Sequence, residues 1–296
     1  VGFDFKDKTS QYFILFILGA IWGSSFILMK LGLRSFTPVE VALLRISISF
    51  LVLSPFVIYH IRTIPKDKWK WLALAGIFGN GIPAFMFALG LSRINSSLAG
   101  IINSTSPLFT MIVGTLFFSI SFKKESVWGI FIGLIGTVYL IVFGSTGKGD
   151  TDYLYVLFPL IGSICYGFSS NIIKLKLKEL KPIVVTGGAL MCMAPFTIAA
   201  VFIMEVPQKI ISSPLNQESF LYVCVLATMS TSLAVLIFNY LIKQTTVLFA
   251  SSVTYLVPMF AMAFGFIKGE ALSLHYFLGM AIIVGGVWLT GKSTAK

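Results

Sequence analysis

The residues that could carry chemistry are few, and most sit in apolar surroundings. The chain closes with GVWLTGKS (Gly286–Ser293), which has the spacing G-x-x-x-x-G-K-[ST] of a phosphate-binding loop. That loop works by aiming backbone N–H groups, and the positive end of the helix that follows, at phosphate oxygens. Only Thr294, Ala295 and Lys296 follow here, and Val287, Trp288 and Leu289 fill the turn with apolar bulk. The segment is therefore expected to end an apolar helix, with Lys292 at the lipid headgroups. Hydrolytic chemistry lacks its parts as well. H-E-x-x-H and G-x-S-x-G are absent, and His60 and His275 fall near the ends of apolar stretches. Asp4, Asp7, Asp67, Asp150 and Asp152 all lie outside those stretches, which excludes a paired-aspartate intramembrane site. Cys165, Cys192 and Cys224 are spread over three stretches and suit neither a disulfide framework nor a metal cluster. No catalytic residue, metal or cofactor is expected.

What remains is uncharged polarity inside apolar runs. Asn80, Asn103, Asn171 and Asn239 each interrupt one, and polar side chains in hydrocarbon must face the helix bundle or a wet cavity. They are expected to bind a small-molecule substrate, or to serve as interhelical hydrogen-bond glue. Trp22 beside Gly23 and Tyr166 beside Gly167 offer an aromatic wall next to a small residue, with Ser25 and Ser169 one helical turn further along the same face. Tyr255, three residues before Pro258, is a further aromatic candidate. Pro107 and Pro258 each remove a backbone donor in mid-stretch and are expected to act as kinks or gates. The carbon stem of Arg45 is expected to snorkel outward, and attraction of a substrate carboxylate is the sharper alternative.

The elements that position these residues follow from composition. Of 296 residues 57% are hydrophobic and 11% charged, and the mean hydropathy is +0.93. Nine stretches of at least 21 residues carry no Asp, Glu, Lys or Arg: 9–29, 71–92, 94–122, 126–147, 153–173, 182–204, 219–242, 244–267 and 271–291. Each is long enough to cross a hydrocarbon core of about 30 Å as a helix. A tenth, 41–61, is broken only by Arg45. The period-two alternation of a membrane barrel is absent. The fold expected is an all-α integral membrane protein of ten transmembrane helices. With the amino terminus inside, fifteen Lys and Arg fall on the cytoplasmic side and six on the other, which sets both termini in the cytoplasm. The net charge of +11 then reflects topology, with membrane lipid rather than nucleic acid as the partner.

The chain also repeats itself. A shift of 144 residues lays GSICYGFSSNIIK (Gly162–Lys174) over LGAIWGSSFILMK (Leu18–Lys30), so that Trp22 meets Tyr166, Ser25 meets Ser169 and Lys30 meets Lys174. A shift of 151 pairs Ala99 with Ala250, Pro107 with Pro258 and Gly114 with Gly265, and GTVYL (Gly136–Leu140) parallels GGVWL (Gly285–Leu289). The polar GSTGKGDTD (Gly144–Asp152) divides five stretches from five, giving repeats over 1–147 and 148–296. Five is odd, so the second copy enters the membrane from the opposite face. Inverted repeats are the architecture of alternating access to a midplane site.

Three segments carry a family resemblance: IWGSSFILMK (Ile21–Lys30), TPVEVALLRISISF (Thr37–Phe50) and FNYLIKQTTVLFASSVTYLVPMFAMAFGFIKGEALS (Phe238–Ser273). The chain resembles the EamA family of the drug/metabolite transporter superfamily over nearly its whole length. That resemblance implies a ten-helix inverted-repeat fold and the transport of small metabolites such as amino acids, with a bacterial cytoplasmic (inner) membrane as the location. One departure stands out. Family members often carry Gly-Glu at the end of the fourth span, whereas FSISFKKES (Phe118–Ser126) puts Ile120 about where Glu270 sits in the second copy.

Trp22 and Tyr166 lie eleven to fourteen residues into their spans from opposite faces, which at 1.5 Å per residue is about 16–21 Å deep. Both are expected to wall one central cavity. Glu40, Glu205 and Glu270 fall at span ends, so an exporter or facilitator is expected rather than a proton antiporter, with a channel or a non-transporting membrane scaffold as the alternative. Neutral, zwitterionic or mildly anionic small molecules suit such a path better than polycations. Gly19/Gly23 and Gly129/Gly133 have the spacing of close helix contacts. They leave a homodimer open, although a monomer is sufficient.

Overall fold

The computed structural model describes residues 7–94, 96–144, 153–267 and 274–292, and among these every regular element is a helix. The first is α1 (Lys8–Gly32), started by Asp7, whose carboxylate accepts from the Ser10 N–H. In α2 (Pro38–His60), Thr37 and Glu40 form a reciprocal capping box with Pro38 in the first turn. The third run is α3 (Trp69–Gly76) and α4 (Ile82–Leu91), joined without a break by a π-helical segment, Ile77–Gly81. The fourth is broken into α5 (Ser96–Asn103) and α6 (Ser106–Phe118), and α7 (Lys124–Gly144) is continuous.

The same order of elements recurs beyond residue 153. It comprises α8 (Leu157–Lys176), α9 (Pro182–Ile203), the short α10 (Val206–Ile211), α11 (Pro214–Val225) joined to α12 (Ala234–Gln244) through a π segment at Leu226–Leu233, then α13 (Val247–Ser251), α14 (Val253–Ile267) and α15 (Leu274–Lys292). Among the described residues, six continuous helical runs are long and apolar enough to cross a membrane, and shorter apolar helices span Ser106–Phe118, Val247–Phe260 and Phe277–Gly291. Large apolar side chains such as Phe196, Phe202, Ile203 and Leu116 point outward. Exposed in this number, they suit contact with lipid chains.

The two copies of this order do not pack as separate bodies. The most extensive helix pairs each join one to the other: α7 with α15, α2 with α9, α1 with α14, and α8 with both α4 and α6. Glycines make these approaches close. A Cβ on Gly286 would lie 2.5 Å from the Gly133 amide nitrogen, and one on Gly129 would lie 2.8 Å from the Gly286 carbonyl oxygen. Gly19 likewise meets Leu256 and Phe260. The Gly19 and Gly129/Gly133 positions are thus occupied by contacts within the chain. Because the obstacle at Gly286 is backbone, Gly286→Val is expected to cost about 1–3 kcal/mol, read as a lower midpoint of thermal unfolding in detergent.

The GVWLTGK residues of the phosphate-loop spacing are the last turns of α15, and Gly291 packs under Tyr12 and Phe249. Among the described residues, which end at Lys292, this stretch is helix rather than a loop that could hold a nucleotide, and Ser293 lies outside them. At the other departure noted in the sequence, α6 ends on Ser119 in the left-handed conformation, with φ 52°. That geometry explains why a glycine is suited to this position. Ser119→Gly is expected to raise stability by about 1 kcal/mol in the same unfolding assay. Glu270 lies outside the described residues.

Candidate functional site

The π segments and helix breaks converge on one place. There a cavity of about 100 Å³ is walled by α1, α2, the interrupted α3–α4 run, α5 and α6 from one copy, and by α8, α9, α12, α13 and α14 from the other. Of the residues expected to bind substrate, Trp22, Ser25, Asn80, Asn103, Tyr166, Ser169 and Asn239 line it. Trp22 Nε1 donates to the Ser230 carbonyl at 2.9 Å, and its indole meets the Phe238 ring edge-on at 5.2 Å. Ser230 belongs to the second π segment, where the ordinary helical ladder is shifted and carbonyls become open to outside donors. The Ala227 carbonyl in the same segment accepts from both Ser49 and Ser232 hydroxyls. Beside the first π segment, the Ser169 hydroxyl donates to the Ala75 carbonyl at 3.0 Å. Tyr166 stacks on Phe87 with ring centres 5.8 Å apart.

The prolines do related work. Pro107 has no N–H for the carbonyl four residues back, and that Asn103 oxygen accepts from the Ser106 hydroxyl at 2.6 Å instead. Pro258 leaves the Thr254 carbonyl, which accepts from the Ser104 hydroxyl at 3.0 Å. Asn103 and Thr254, equivalent under the 151-residue shift, both face the cavity. Pro107 is not a mid-helix kink, however. It sits in the first turn of α6, after the break at Ser104 and Thr105, whereas Pro258 is interior to α14.

Three further expectations need correction. Asn171 is buried away from the cavity, where its amide nitrogen donates to the carbonyls of Thr110 at 2.9 Å and Gly167 at 2.8 Å, holding α8 against α6. Tyr255 is fully buried, its hydroxyl donating to the Ile130 carbonyl at 2.8 Å and its ring covering Gly133. Both are packing residues. Arg45 does not snorkel. It lines the cavity, and its Nε donates to Thr231 Oγ1 at 2.6 Å. The rotation of α2 that caps its start with Glu40 leaves Arg45 facing the second π segment, and the sequence gives no sign of Thr231 as its partner.

Other lining residues were legible only as a class. Ser106, Thr110, Ser170, Thr186, Ser251 and Thr254 are hydroxyl groups inside apolar runs, and several lie within a turn of Asn103 or Pro258. Asn239 donates to Thr186 Oγ1 at 2.9 Å, while its Oδ1 has no partner among the described residues. Asn80, Asn103 and the Tyr166 hydroxyl make no side-chain hydrogen bond among the described residues, so their donors and acceptors remain for a ligand. A site with aromatic walls and a few unpaired polar groups can orient a small organic molecule.

A model of the EamA-like transporter family matches residues 9–142 and 153–292. The chain belongs to that family. Relatives within reach include the "Uncharacterized inner membrane transporter YedA" of Escherichia coli, 28% identical over 291 residues that make up 96% of this chain and 92% of that one. The "Probable amino-acid metabolite efflux pump" of Salmonella typhimurium is 23% identical, covering 94% of this chain and 93% of its own length. A solved crystal structure shares the fold with a TM-score of 0.74 at 19% identity, over 97% of this chain and 98% of that chain. As an EamA-like family member, the chain is a multi-pass membrane transporter.

Proposed function

We propose that the chain carries small metabolites, amino acids and related carboxylic acids among them, through the central cavity by alternating access. The observation that carries this reading is the shared wall. Trp22 and Tyr166, Ser25 and Ser169, and Asn103 and Thr254 are pairs related by the sequence shifts, and all six line one cavity. The repeated order of elements, with a π segment in each third run and a break in each fourth, supports ten spans in two inverted five-helix repeats over 1–147 and 148–296. Both termini are then cytoplasmic, in a bacterial inner membrane as for the Escherichia coli relative. The efflux-pump relative supports the substrate class and the outward direction.

No Asp or Glu lines the cavity among the described residues. Uniport or exchange therefore fits better than proton coupling. Purified protein in sealed vesicles should take up a labelled metabolite with saturable kinetics and faster when unlabelled metabolite is loaded inside. Uptake that rises linearly with concentration, or that matches vesicles without protein, would sink this reading. Uphill uptake driven by an imposed pH gradient alone would sink the uniport or exchange part of it.

A further inference from the structure

The central cavity holds a cation, Arg45, that no described residue neutralises. Arg45 stands eight residues into α2, about 10 Å from its start at 1.5 Å per residue. Its Nε is anchored on Thr231 Oγ1 at 2.6 Å, while its two terminal nitrogens have no hydrogen-bond partner among the described residues. No described carboxylate shares the cavity. An unpaired guanidinium at that depth is costly, and the cost falls when an anion supplies the missing acceptors.

We propose that the cavity is built for a small organic monoanion whose carboxylate is received by the terminal nitrogens of Arg45, and that it prefers this anion to the zwitterion or cation of the same shape. The proposal rests on the cavity being the transport site. With Nε held, the guanidinium plane is fixed and its free edge presents the fork that matches a carboxylate in bidentate fashion. Trp22, Phe26, Phe87 and Phe238 give the apolar body of such a molecule its wall. An ammonium group in the same space would face the guanidinium with no acid to hold it.

The surroundings of the cavity have the same sign. A neighbouring cavity of about 370 Å³ shares Ile173, Val185 and Asn239 with the central one. It is lined by Lys174, Lys178 and Lys243 against the single acid Glu179. Lys174 is tied to the end of α12, donating to the carbonyls of Ile242 at 2.8 Å and Lys243 at 3.3 Å, but its charge remains. Positive charge beside the central cavity raises the local concentration of anions.

The test uses three probes with one branched body: 4-methylpentanoate, L-leucine and 3-methylbutylamine, titrated calorimetrically into the purified chain in detergent. The anion should bind saturably and at least about tenfold more tightly than leucine, and the amine should not bind. Arg45→Gln should weaken the anion by about 10–100-fold, with partial recovery in Arg45→Lys. Thr231→Val, which keeps the charge and frees its orientation, should weaken it severalfold and covers the case in which Arg45→Gln does not fold. Failure of the anion to bind, equal binding by Arg45→Gln, or leucine bound as tightly as the anion would overturn the proposal. Anion that binds but never crosses vesicles made with the same protein would count against the transport reading and leave this one intact. Saturable leucine transport without preference for the anion would do the reverse.

Discussion

Trp22→Ala and Tyr166→Ala are each expected to reduce saturable uptake by at least about tenfold, while Phe196→Ala and Phe202→Ala leave it nearly unchanged. The contrast follows from where equally large aromatics sit. Phe196 and Phe202 are outward on α9, where lipid replaces whatever is removed. Trp22 lies in the cavity wall, and its indole N–H is what ties α1 to the second π segment at Ser230. Trp22→Phe separates the two contributions, since it keeps the ring and loses the donor. If the tie matters to the motion between states, this variant should bind a ligand normally yet turn over more slowly. Tyr166 presents its ring to Phe87 and its free hydroxyl to the cavity, so Tyr166→Phe should lower affinity while sparing fold. Radiolabel uptake, with unfolding midpoints as the control for integrity, decides each case. Equal uptake by the Trp22→Ala, Tyr166→Ala double variant would remove the cavity from the account.

Lys209→Ala is expected to destabilise the protein by about 1–3 kcal/mol, and Glu40→Gln by less. Glu40 is 5% exposed at the start of α2, where its carboxylate accepts from the Thr37 N–H at 2.6 Å and from Lys209 at 2.7 Å. Removing the lysine strands a buried carboxylate, whereas the glutamine keeps the capping contact and has no charge to strand. The pair also fastens α10 to the start of α2. Thermal unfolding of the two single variants and the double variant forms a cycle that isolates the pair. Equal losses from Lys209→Ala and Glu40→Gln would contradict the stranded-charge argument.

The sequence was most informative where residue type alone limits placement. Long uncharged runs must be helices in lipid, and amides such as Asn80, Asn103 and Asn239 had to face inward, as the structure finds. The 144-residue shift put Trp22 and Tyr166 in register, and both line one cavity. Helix rotation was harder to read. Asn171 obeys the same rule as Asn103 yet faces a neighbouring helix, because one buried side of α8 meets α6 and the other meets the cavity. The sequence does not choose between the two readings of Arg45, because its partner, Thr231, comes from a π segment 186 residues away. Such segments leave little trace in the sequence beyond the glycines of Gly76–Gly81 and the polar ATMSTS cluster at 227–232.

The claim on which the account depends is that one cavity opens in turn to each side of the membrane. Ser170 lines that cavity, and Cys165, Cys192 and Cys224 are dispensable to the argument, so a chain carrying Ser170→Cys with those three replaced by alanine has one reporter thiol. A membrane-impermeant maleimide is then applied to right-side-out and to inside-out vesicles. Modification from both faces, slowed in each orientation by excess transported metabolite, is the predicted result. Modification from one face alone, or from neither, would contradict it.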